Sequence, residues 1–317
     1  MKNVLIYFIC CILICSCHET PKVNIYKKIE QEFCLPKQLF FLNNAKDTVI
    51  ACINGTEILV KANSFCFEDS KKVLGTNDTI FLEVIEYVRL SDIIINNLST
   101  LSNNKVIETG GMLNILAKSH QRILALKKNA AVKVSFKSKP KDFNSFYAEN
   151  KKNNEAINWA IEKPVNHADA AVVQDTMLFN GDTIKWGRNN ENLNVLSFSK
   201  LGWINCDRFL NFDNTTEVFV KAKDDNIDSS TFCSVILKNY NSIIPGKVSP
   251  NSSMKFTPLP IDEPITIFLI SFKDGNYYMG IRDVTVKENE TYSVSLELVS
   301  KEQLMNRLKE FDEGRPL

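Results

Sequence analysis

Short runs of β-branched, aliphatic and aromatic residues, separated by turn residues, recur along this chain and limit its fold more than any other feature. Asn54-Gly55 and Asp274-Gly275 each stand between two such runs, and both dipeptides accept the positive φ angles of a type I′ hairpin turn. The run 293–298 alternates strictly between polar and apolar residues, as does a strand with one wet face. The sequence therefore predicts an all-β protein built of antiparallel sheets.

The predicted strands fall into two groups, and 317 residues are enough for two domains. One group, over 46–138, predicts a β-sandwich, and the other, over 209–299, predicts a second sandwich that is immunoglobulin-like in a loose sense. Between them, residues 139–208 are dense in Asn, Lys and Asp and predict a short mixed connector. A helical pattern at 154–161 in this connector carries Trp159.

Two helices are predicted from capping signals. Ser91-Asp92 precedes three isoleucines and can cap one helical turn. Ser300 and Gln303 form a capping box at the start of a second helix. This C-terminal helix and tail cover 300–317, with an apolar stripe formed by Leu304, Leu308 and Phe311.

The N-terminus has the form of a bacterial secretory signal. Lys2 precedes an apolar run that ends at Ile14, which is too short to span a bilayer as a helix. Ile14-Cys15-Ser16-Cys17 resembles the lipobox of bacterial lipoproteins, which implies a signal peptide at 1–16 and acyl chains such as palmitate on Cys17. A polar tether is then expected at 17–45, with an uncleaved anchor or a plain secretory signal as the alternatives. We expect a protein lipid-anchored in the bacterial cell envelope, at the outer membrane.

The charges of the expected mature chain balance. Removing Lys2 from the 38 basic residues leaves 37, against 37 acidic residues. Such a balance gives no general field that attracts nucleic acid. The membrane is the expected partner through the lipid on Cys17, together with an envelope protein or glycan, and no nucleic acid is expected.

Five cysteines remain beyond Cys17, and their spacing contains no C-x-x-C pair. The sequence therefore indicates neither a zinc site nor a thioredoxin-like site, and at most two disulfides can form. A two-residue turn at Asn54-Gly55 would make Cys52 face away from the main core. The five cysteines are Cys34, Cys52, Cys66, Cys206 and Cys233.

The stretch "GWINCDRF" at 202–209 resembles a reactive centre because an acid and a base follow Cys206. A cysteine nucleophile needs a base, normally His, and a lowered pKa. His120 and His167 are the histidines beyond the tether, and no local signature pairs either with Cys206. Strand alternation places Asp207 and the preceding Asn on the face opposite Cys206. The sequence therefore favours a buried structural thiol and no catalytic residue.

Four sequence blocks occur in the order found in one family. They are Gly55-Thr56-Glu57-Ile58, Ser91-Asp92-Ile93-Ile94-Ile95, Leu98-Ser99-Thr100-Leu101-Ser102 and Glu108-Thr109-Gly110-Gly111-Met112. They resemble the blocks of the ZU-type domain, a β-sandwich of zonula occludens proteins, netrin receptors and ankyrins, and in particular its versions in secreted proteins of Bacteroidota. The resemblance covers about 90 residues and implies an interaction and scaffolding module. Some members cleave themselves at a His-Phe-Ser sequence, which Ser119-His120-Gln121 does not match.

An Asp-Thr pair followed by an apolar residue occurs four times, at Thr48, Thr79, Thr176 and Thr183. This pattern resembles the acceptor of the O-glycosylation system of exported Bacteroidota proteins. The alternative is that Asp ends a turn and Thr begins a strand, which requires no sugar. The sequence leaves both interpretations open.

The run 224–228, Asp-Asp-Asn-Ile-Asp, imitates the start of a calcium loop. The expected Gly and bidentate Glu are replaced by Ser229 and Val235, so a solvated loop is favoured. No phosphate-binding loop, metalloprotease motif or nucleophile elbow occurs. We therefore expect neither a metal nor a cofactor.

Together these features favour a non-enzymatic envelope lipoprotein that acts as a protein- or glycan-binding or assembly module. The loops 63–77, 223–230 and 273–277 are the expected partner surfaces. The alternative is a hydrolase-type enzyme whose site lies at the seam between the domains. That site would draw on Trp159, His167, Trp186 and Trp203.

Overall fold

The computed structural model describes residues 24–137, 142–148, 157–162, 176–179, 182–185, 193–223, 227–228, 230–249 and 251–313. The all-β prediction is confirmed, because strands dominate these ranges and nearly all of their pairings are antiparallel. The strands up to residue 209 are β1 (Gln38–Asn43), β2 (Thr48–Ala51), β3 (Glu57–Val60), β4 (Phe65–Phe67), β5 (Thr79–Tyr87), β6 (Leu101–Ser102), β7 (Lys105–Ser119), β8 (Arg122–Leu126), β9 (Val132–Lys137), β10 (Asn144–Ala148), β11 (Trp159–Ile161), β12 (Thr176–Phe179), β13 (Asp182–Lys185), β14 (Leu193–Phe198) and β15 (Gly202–Phe209).

The remaining elements form the second half of the chain and its helices. The strands are β16 (Thr215–Ala222), β17 (Thr231–Leu237), β18 (Ser242–Pro245), β19 (Lys247–Ser249), β20 (Ser253–Pro260), β21 (Pro264–Lys273), β22 (Asn276–Thr285), β23 (Thr291–Val294) and β24 (Glu297–Val299). The helices are α1 (Ile25–Glu32), α2 (Leu90–Ile95) and α3 (Lys301–Glu310).

The first sandwich consists of two packed sheets. Sheet 1 has the strand order β1-β5-β7-β15-β10-β11, and sheet 2 has the order β14-β9-β3-β2. Alternate residues of both sheets share one apolar core, as in Leu82 and Ile115 of sheet 1 and Ile58 and Val134 of sheet 2. This alternation is the pattern expected for two sheets that each bury one face.

The expected connector at 139–208 is wrong, because its strands complete the first sandwich. β10, β11 and β15 belong to sheet 1, and β14 belongs to sheet 2. The helix expected at 154–161 is contradicted at its end, since Trp159 begins β11 and residues 154–156 lie outside the described part. The physical reason is burial: Phe146, Phe198 and Ile204 are fully enclosed and need sheet partners.

The second sandwich packs sheet 3, with the order β19-β20-β16-β23, on sheet 4, with the order β18-β17-β21-β22-β24. Its core joins residues such as Val220 and Phe256 of sheet 3 to Val235 and Ile267 of sheet 4. β16 and β23 pair in parallel, which departs from the antiparallel prediction at one place. β12 and β13 form a separate two-stranded hairpin.

A third apolar cluster, which we call the seam, joins the two sandwiches. It combines all three helices with side chains of sheet 1 and sheet 4. Its buried members are Ile25, Ile29, Phe33, Tyr87, Leu90, Ile93, Ile94, Ile95, Leu98, Ile107, Met112, Phe146, Ile157, Trp159, Phe232, Ile236, Ile243, Phe268, Ile270, Tyr277, Leu304 and Leu308.

The expected tether at 17–45 is wrong from residue 24 onward. α1 buries Ile25 and Ile29 in the seam, and β1 pairs with β5 along its whole length. The i and i+4 spacing of two isoleucines, followed by Phe33, is an apolar helical stripe within an otherwise polar segment. The part that precedes Asn24, with Cys17, lies outside the described residues.

The two predicted hairpins both form, but only one has the expected turn. Asp274 and Gly275 both have positive φ angles, as in a type I′ turn between β21 and β22. Between β2 and β3, Gly55 has a φ of +88°. Asn54 does not have a positive φ, and its N–H donates to the buried Glu86 carboxylate at 2.9 Å. This contact fixes a longer loop.

The longer loop also changes the position of Cys52. Its side chain lies in the core of the first sandwich, whereas its neighbour Ile53 is exposed. The expectation that Cys52 faces away from the core is therefore wrong. Burial, with a smaller contribution from the Glu86 charge, raises the pKa of the Cys52 thiol to about 12.

Helix α3 confirms its predicted cap and stripe. The Ser300 side chain accepts from the Gln303 N–H, and the Gln303 side chain accepts from the Ser300 N–H. Leu304 and Leu308 are buried in the seam, and Phe311 packs against it. Within the described residues, no helix has the length and apolar character needed to cross a membrane.

Candidate functional site

Strand β15, the reactive-looking stretch, lies in the middle of sheet 1 between β7 and β10. Its pairing with β7 shifts register between Asn205 and Asp207, as at a β-bulge. Ile204 and Cys206 belong to the core of the first sandwich, whereas Trp203 packs against the seam. One strand therefore contributes side chains to two cores.

Cys206 is fully buried in the core of the first sandwich. A thiol nucleophile must meet its substrate and a base. His120 is not such a base, because it lies in an exposed turn and its Nε2 is 3.2 Å from Oδ1 of Asp78. His167 lies outside the described residues. The structure therefore confirms that Cys206 is a packed thiol.

Asp207 forms a buried polar cluster with Asn205 and Thr109. The Asn205 amide donates to the Asp207 carboxyl at 2.5 Å, and the Thr109 hydroxyl donates to the Asn205 carbonyl oxygen at 2.9 Å. Oδ1 of Asp207 has no hydrogen-bond partner among the described residues. Complete burial raises the pKa of Asp207 well above its usual range, and the nearby Thr109 hydroxyl opposes this effect only in part.

Arg208 contributes to the contact between the two sandwiches through the Glu108 carboxylate. Its guanidinium pairs with Glu108 at 2.7 Å. The same carboxylate accepts from the backbone N–H of Asn241, which precedes β18, at 3.2 Å. The Asn241 carbonyl in turn accepts from the N–H of Thr109 at 2.9 Å.

A second set of contacts across the seam comes from Ser99-Thr100. The Thr100 hydroxyl donates to the Ile243 carbonyl at 2.9 Å and lies 2.8 Å from the Ser242 hydroxyl. The indole N–H of Trp159 donates to the Ser99 carbonyl at 2.6 Å, a bond that lies within the first half of the chain and holds this segment in place. Two of the four sequence blocks, at 98–102 and 108–112, thus bind the sandwiches to each other.

The N-terminus of α2 is capped by a residue from the end of the chain. Ser91 does not cap its own helix, and Arg89 occupies the N-cap without a side-chain bond, so the predicted cap is wrong. Instead the N–H and hydroxyl of Ser91 donate to the Asp312 carboxylate at 3.0 and 2.6 Å. Burial, with smaller charge effects of Asp312 and Glu86, raises the pKa of Asp92 to about 6, against the lowering effect of Arg89.

The tryptophans of the alternative enzyme site are structural where they are described. Trp159 is fully buried, and Trp203 stacks against Tyr87 with ring centroids 4.9 Å apart. Both belong to the seam or pack against it. Trp186 lies outside the described residues, as does His167.

The expected loop surface 63–77 is wrong at 65–67, which form the buried strand β4, and an ion pair orders the exposed part that follows. Within 63–77, the Asp69 carboxylate accepts from Arg122, whose guanidinium lies 4.0 Å from the centroid of the Phe67 ring. The loop 223–230 is described only in part, and 273–277 is the tight β21–β22 hairpin. In the first of these loops an apolar side chain, Val73, is exposed.

The Asp-Thr pairs lie where strands begin. β2 begins at Thr48, β5 at Thr79 and β12 at Thr176. The carboxylates of the preceding aspartates accept backbone N–H groups: Asp47 from Ala62 at 2.7 Å and Asp78 from Gly75 at 2.9 Å. These contacts explain the pattern as turn chemistry, while glycosylation of Thr48, Thr79, Thr176 or Thr183 stays a prediction.

An open groove of about 380 Å³ lies in the second sandwich between β22 and the chain at 293–297. Its cations already have partners, since Arg282 donates to the Ser293 carbonyl at 2.8 Å and Arg307 pairs with Glu310. None of the described cysteines, Cys34, Cys52, Cys66, Cys206 and Cys233, is in a disulfide. No group of three or more His, Cys, Asp or Glu side chains in the described ranges could hold a metal ion.

The chain was also compared with known proteins. No family model matches it, and no curated protein matches it either.

Proposed function

We propose that this protein is a non-enzymatic envelope lipoprotein that binds a protein or glycan partner and acts as an assembly module. It is anchored at the outer membrane by the lipid on Cys17, and its first sandwich is of the ZU type. Partners bind at exposed loops that the two sandwiches hold in fixed positions.

The observation that carries this proposal is that the reactive-looking groups serve the seam and the cores. Cys206 packs in the first core, and Trp159 and the Glu108–Arg208 pair lie at contacts between the sandwiches. Two sandwiches joined by a continuous apolar cluster and hydrogen bonds make a stiff support. Such a support suits the presentation of a binding surface.

The position of α1 adds a consequence for the anchor. Helix α1, which packs in the seam, begins directly after Asn24. Asn24 is only seven residues from Cys17, so the segment that can act as a tether is short. Seven residues reach at most about 25 Å when fully extended. A lipid on Cys17 therefore holds the seam close to the membrane surface, unlike the long tether that the sequence suggests.

Replacing Cys17 by Ala tests the anchor. Loss of the acylated thiol removes the buried methylenes, each worth about 0.8 kcal/mol, that hold the protein in the bilayer. We expect the variant to move from the detergent phase to the aqueous phase in phase partition of cells. The control is Cys34→Ala, which replaces an exposed thiol beyond α1. This variant should remain in the detergent phase, as the wild type does. A Cys17→Ala protein that remains in the detergent phase would contradict the anchor.

Capture of a partner tests the function. The full-length protein, tagged at its C-terminus and produced in its own host, is cross-linked in intact cells and purified from solubilised membranes. We expect a stoichiometric envelope protein or glycan that is lost when the exposed residues 68–73 are altered. The same preparation is assayed with generic hydrolase substrates. Turnover that disappears on mutation of His167 or Cys206, without a stable partner, would overturn the proposal in favour of an enzyme.

A further inference from the structure

Strand β1 is an edge strand of sheet 1 that exposes apolar side chains to solvent. Leu39 and Phe41 are 64% and 69% exposed, while the alternate residues Phe40 and Leu42 pack on the first core. Isolated exposed leucines are common on protein surfaces. Two large apolar residues at alternate positions of one edge strand are not the usual arrangement, because natural edges are protected.

The exposed side chains continue across the sheet as a row. Phe41 lies opposite Phe81 of β5, and Phe81 lies opposite Lys118 of β7, which lies opposite Ile123 of β8. The rings of Phe41 and Phe81 are in edge contact, with centroids 5.2 Å apart. Phe81 and Ile123 are themselves 47% and 46% exposed. The outer face next to β1 therefore carries an apolar row that Lys118 interrupts and that ends at an open sheet edge. Leu39, beside this row, lies opposite Glu83, which pairs with Lys37 at 3.1 Å.

The backbone of the same two residues is also open. The N–H of Asn44 donates to the carbonyl of Asp78 at 3.2 Å, in the register in which β1 pairs with β5. Because hydrogen-bonded pairs alternate along an antiparallel ladder, the even-numbered residues of β1 bond to β5. The N–H and C=O groups of Leu39 and Phe41 therefore point away from the sheet, where the described residues offer them no partner.

We propose that β1 pairs with β1 of a second copy of this chain, antiparallel about a two-fold axis at Phe40. In this register Leu39 lies opposite Phe41 of the second copy, and Phe41 lies opposite Leu39 of that copy. All the outward-pointing groups of both residues form hydrogen bonds. The two copies of sheet 1 then become one continuous sheet, in which Phe41 of each copy lies between its own Phe81 and Leu39 of the other copy.

The strand fits its own copy for reasons of sequence and charge. The segment QLFFLN contains no charged residue, Pro or Gly, which are the residues that usually block edge pairing. Lys37, next to the strand, lies opposite Asn43 of the second copy in this register, so no like charges meet. A two-fold axis also places the same patch on both partners, as a closed dimer requires. A lipid surface fits less well, because N–H and C=O groups without a hydrogen-bond partner are strongly unfavourable in hydrocarbon.

The test is the oligomeric state of the full-length protein in detergent, measured by sedimentation over a range of protein concentrations. We expect a reversible dimer for the wild type. Leu39→Lys places a cation opposite Phe41 twice in each dimer and should raise the dissociation constant at least about tenfold. The matched control is Leu298→Lys on β24, since Leu298 is equally exposed at 64%. The control should leave the dissociation constant unchanged, and both variants should keep the unfolding midpoint of the wild type.

Cross-linking tests the register. With the exposed Cys34 replaced by Ser, Leu39→Cys and Phe41→Cys variants are mixed and oxidised. We expect a disulfide-linked dimer in the mixture at a higher yield than in either variant alone. A monomeric wild type would overturn the proposal, whether or not vesicles or another protein then bind the patch. Equal weakening by Leu298→Lys, or better cross-linking within one variant, would also overturn it.

This inference does not depend on the proposed function. A dimer would stand if no envelope partner were captured, and a captured partner would stand if the protein proved monomeric.

Discussion

Replacing Trp159 by Ala is expected to lower the free energy of unfolding by about 3–5 kcal/mol, the range for deletion of a buried aromatic side chain. Trp159 is fully buried in the seam, and its N–H donates to the Ser99 carbonyl at 2.6 Å. The substitution both leaves a cavity and removes the partner of a buried carbonyl. Chemical denaturation monitored by circular dichroism measures the loss.

The control for this prediction lies on the same strand. Ile161 is 44% exposed, and Ile161→Ala should cost less than about 1 kcal/mol. If Trp159→Ala cost no more than Ile161→Ala, Trp159 would not be a packed, fully buried side chain. The assignment of Trp159 to the seam would then fail.

Replacing Asp207 by Asn is expected to remove a pH-dependent loss of stability. In the unfolded chain the Asp207 carboxyl ionises near pH 4, whereas burial raises the pKa of the folded group well above that value. Between these two pKa values the folded state holds a proton that the unfolded state has released. Wild-type stability therefore falls as pH rises, by about 1.4 kcal/mol per pH unit. The free energy of unfolding of the Asn variant lacks this pH dependence. It should therefore increase relative to that of the wild type as pH rises from about 4.

Denaturation of both proteins at a series of pH values measures this difference. Asp142→Asn is the control for loss of one carboxylate, because Asp142 lies near the same strand with its side chain 70% exposed. A stability difference between Asp207→Asn and wild type that does not change with pH would contradict the buried, protonated carboxyl.

The two hairpin turns show what the sequence can and cannot determine. Asp274-Gly275 adopts the predicted type I′ turn because its two strands pair up to the residues on either side. Asn54-Gly55 carries the same kind of signal, but Glu86 from β5 binds the Asn54 N–H and Gln38 from β1 binds the Ile53 N–H. These contacts come from residues distant in sequence, so local turn preferences could not reveal them.

The middle of the chain shows the same limit at a larger scale. Its Asn- and Lys-rich composition indicates a connector, yet β10, β11, β14 and β15 complete the first sandwich. The sequence signal for these buried strands is the set of apolar residues within the polar segment, such as Phe146 and Trp159. In β15 the alternation was predictable, but the burial of Asn205 and Asp207 in one polar cluster was not. Polar residues normally indicate an exposed face.

Within the candidate site, burial of Cys206 could be predicted and the contacts of Glu108 could not. A cysteine between strand-forming residues, with no nearby histidine, favours a core position. Glu108 holds both Arg208 and the Asn241 backbone, and the second of these contacts depends on how the sandwiches dock.

Alkylation of the folded full-length protein at neutral pH tests most directly whether the reactive-looking strand is structural. Cys34 is the exposed thiol among the described cysteines, whereas Cys206 is fully buried in the core. We expect mass spectrometry to find rapid modification of Cys34, with Cys206 modified only after denaturation. Selective modification of Cys206 in the folded protein, at a rate equal to or above that of Cys34, would show an accessible thiolate and contradict the account.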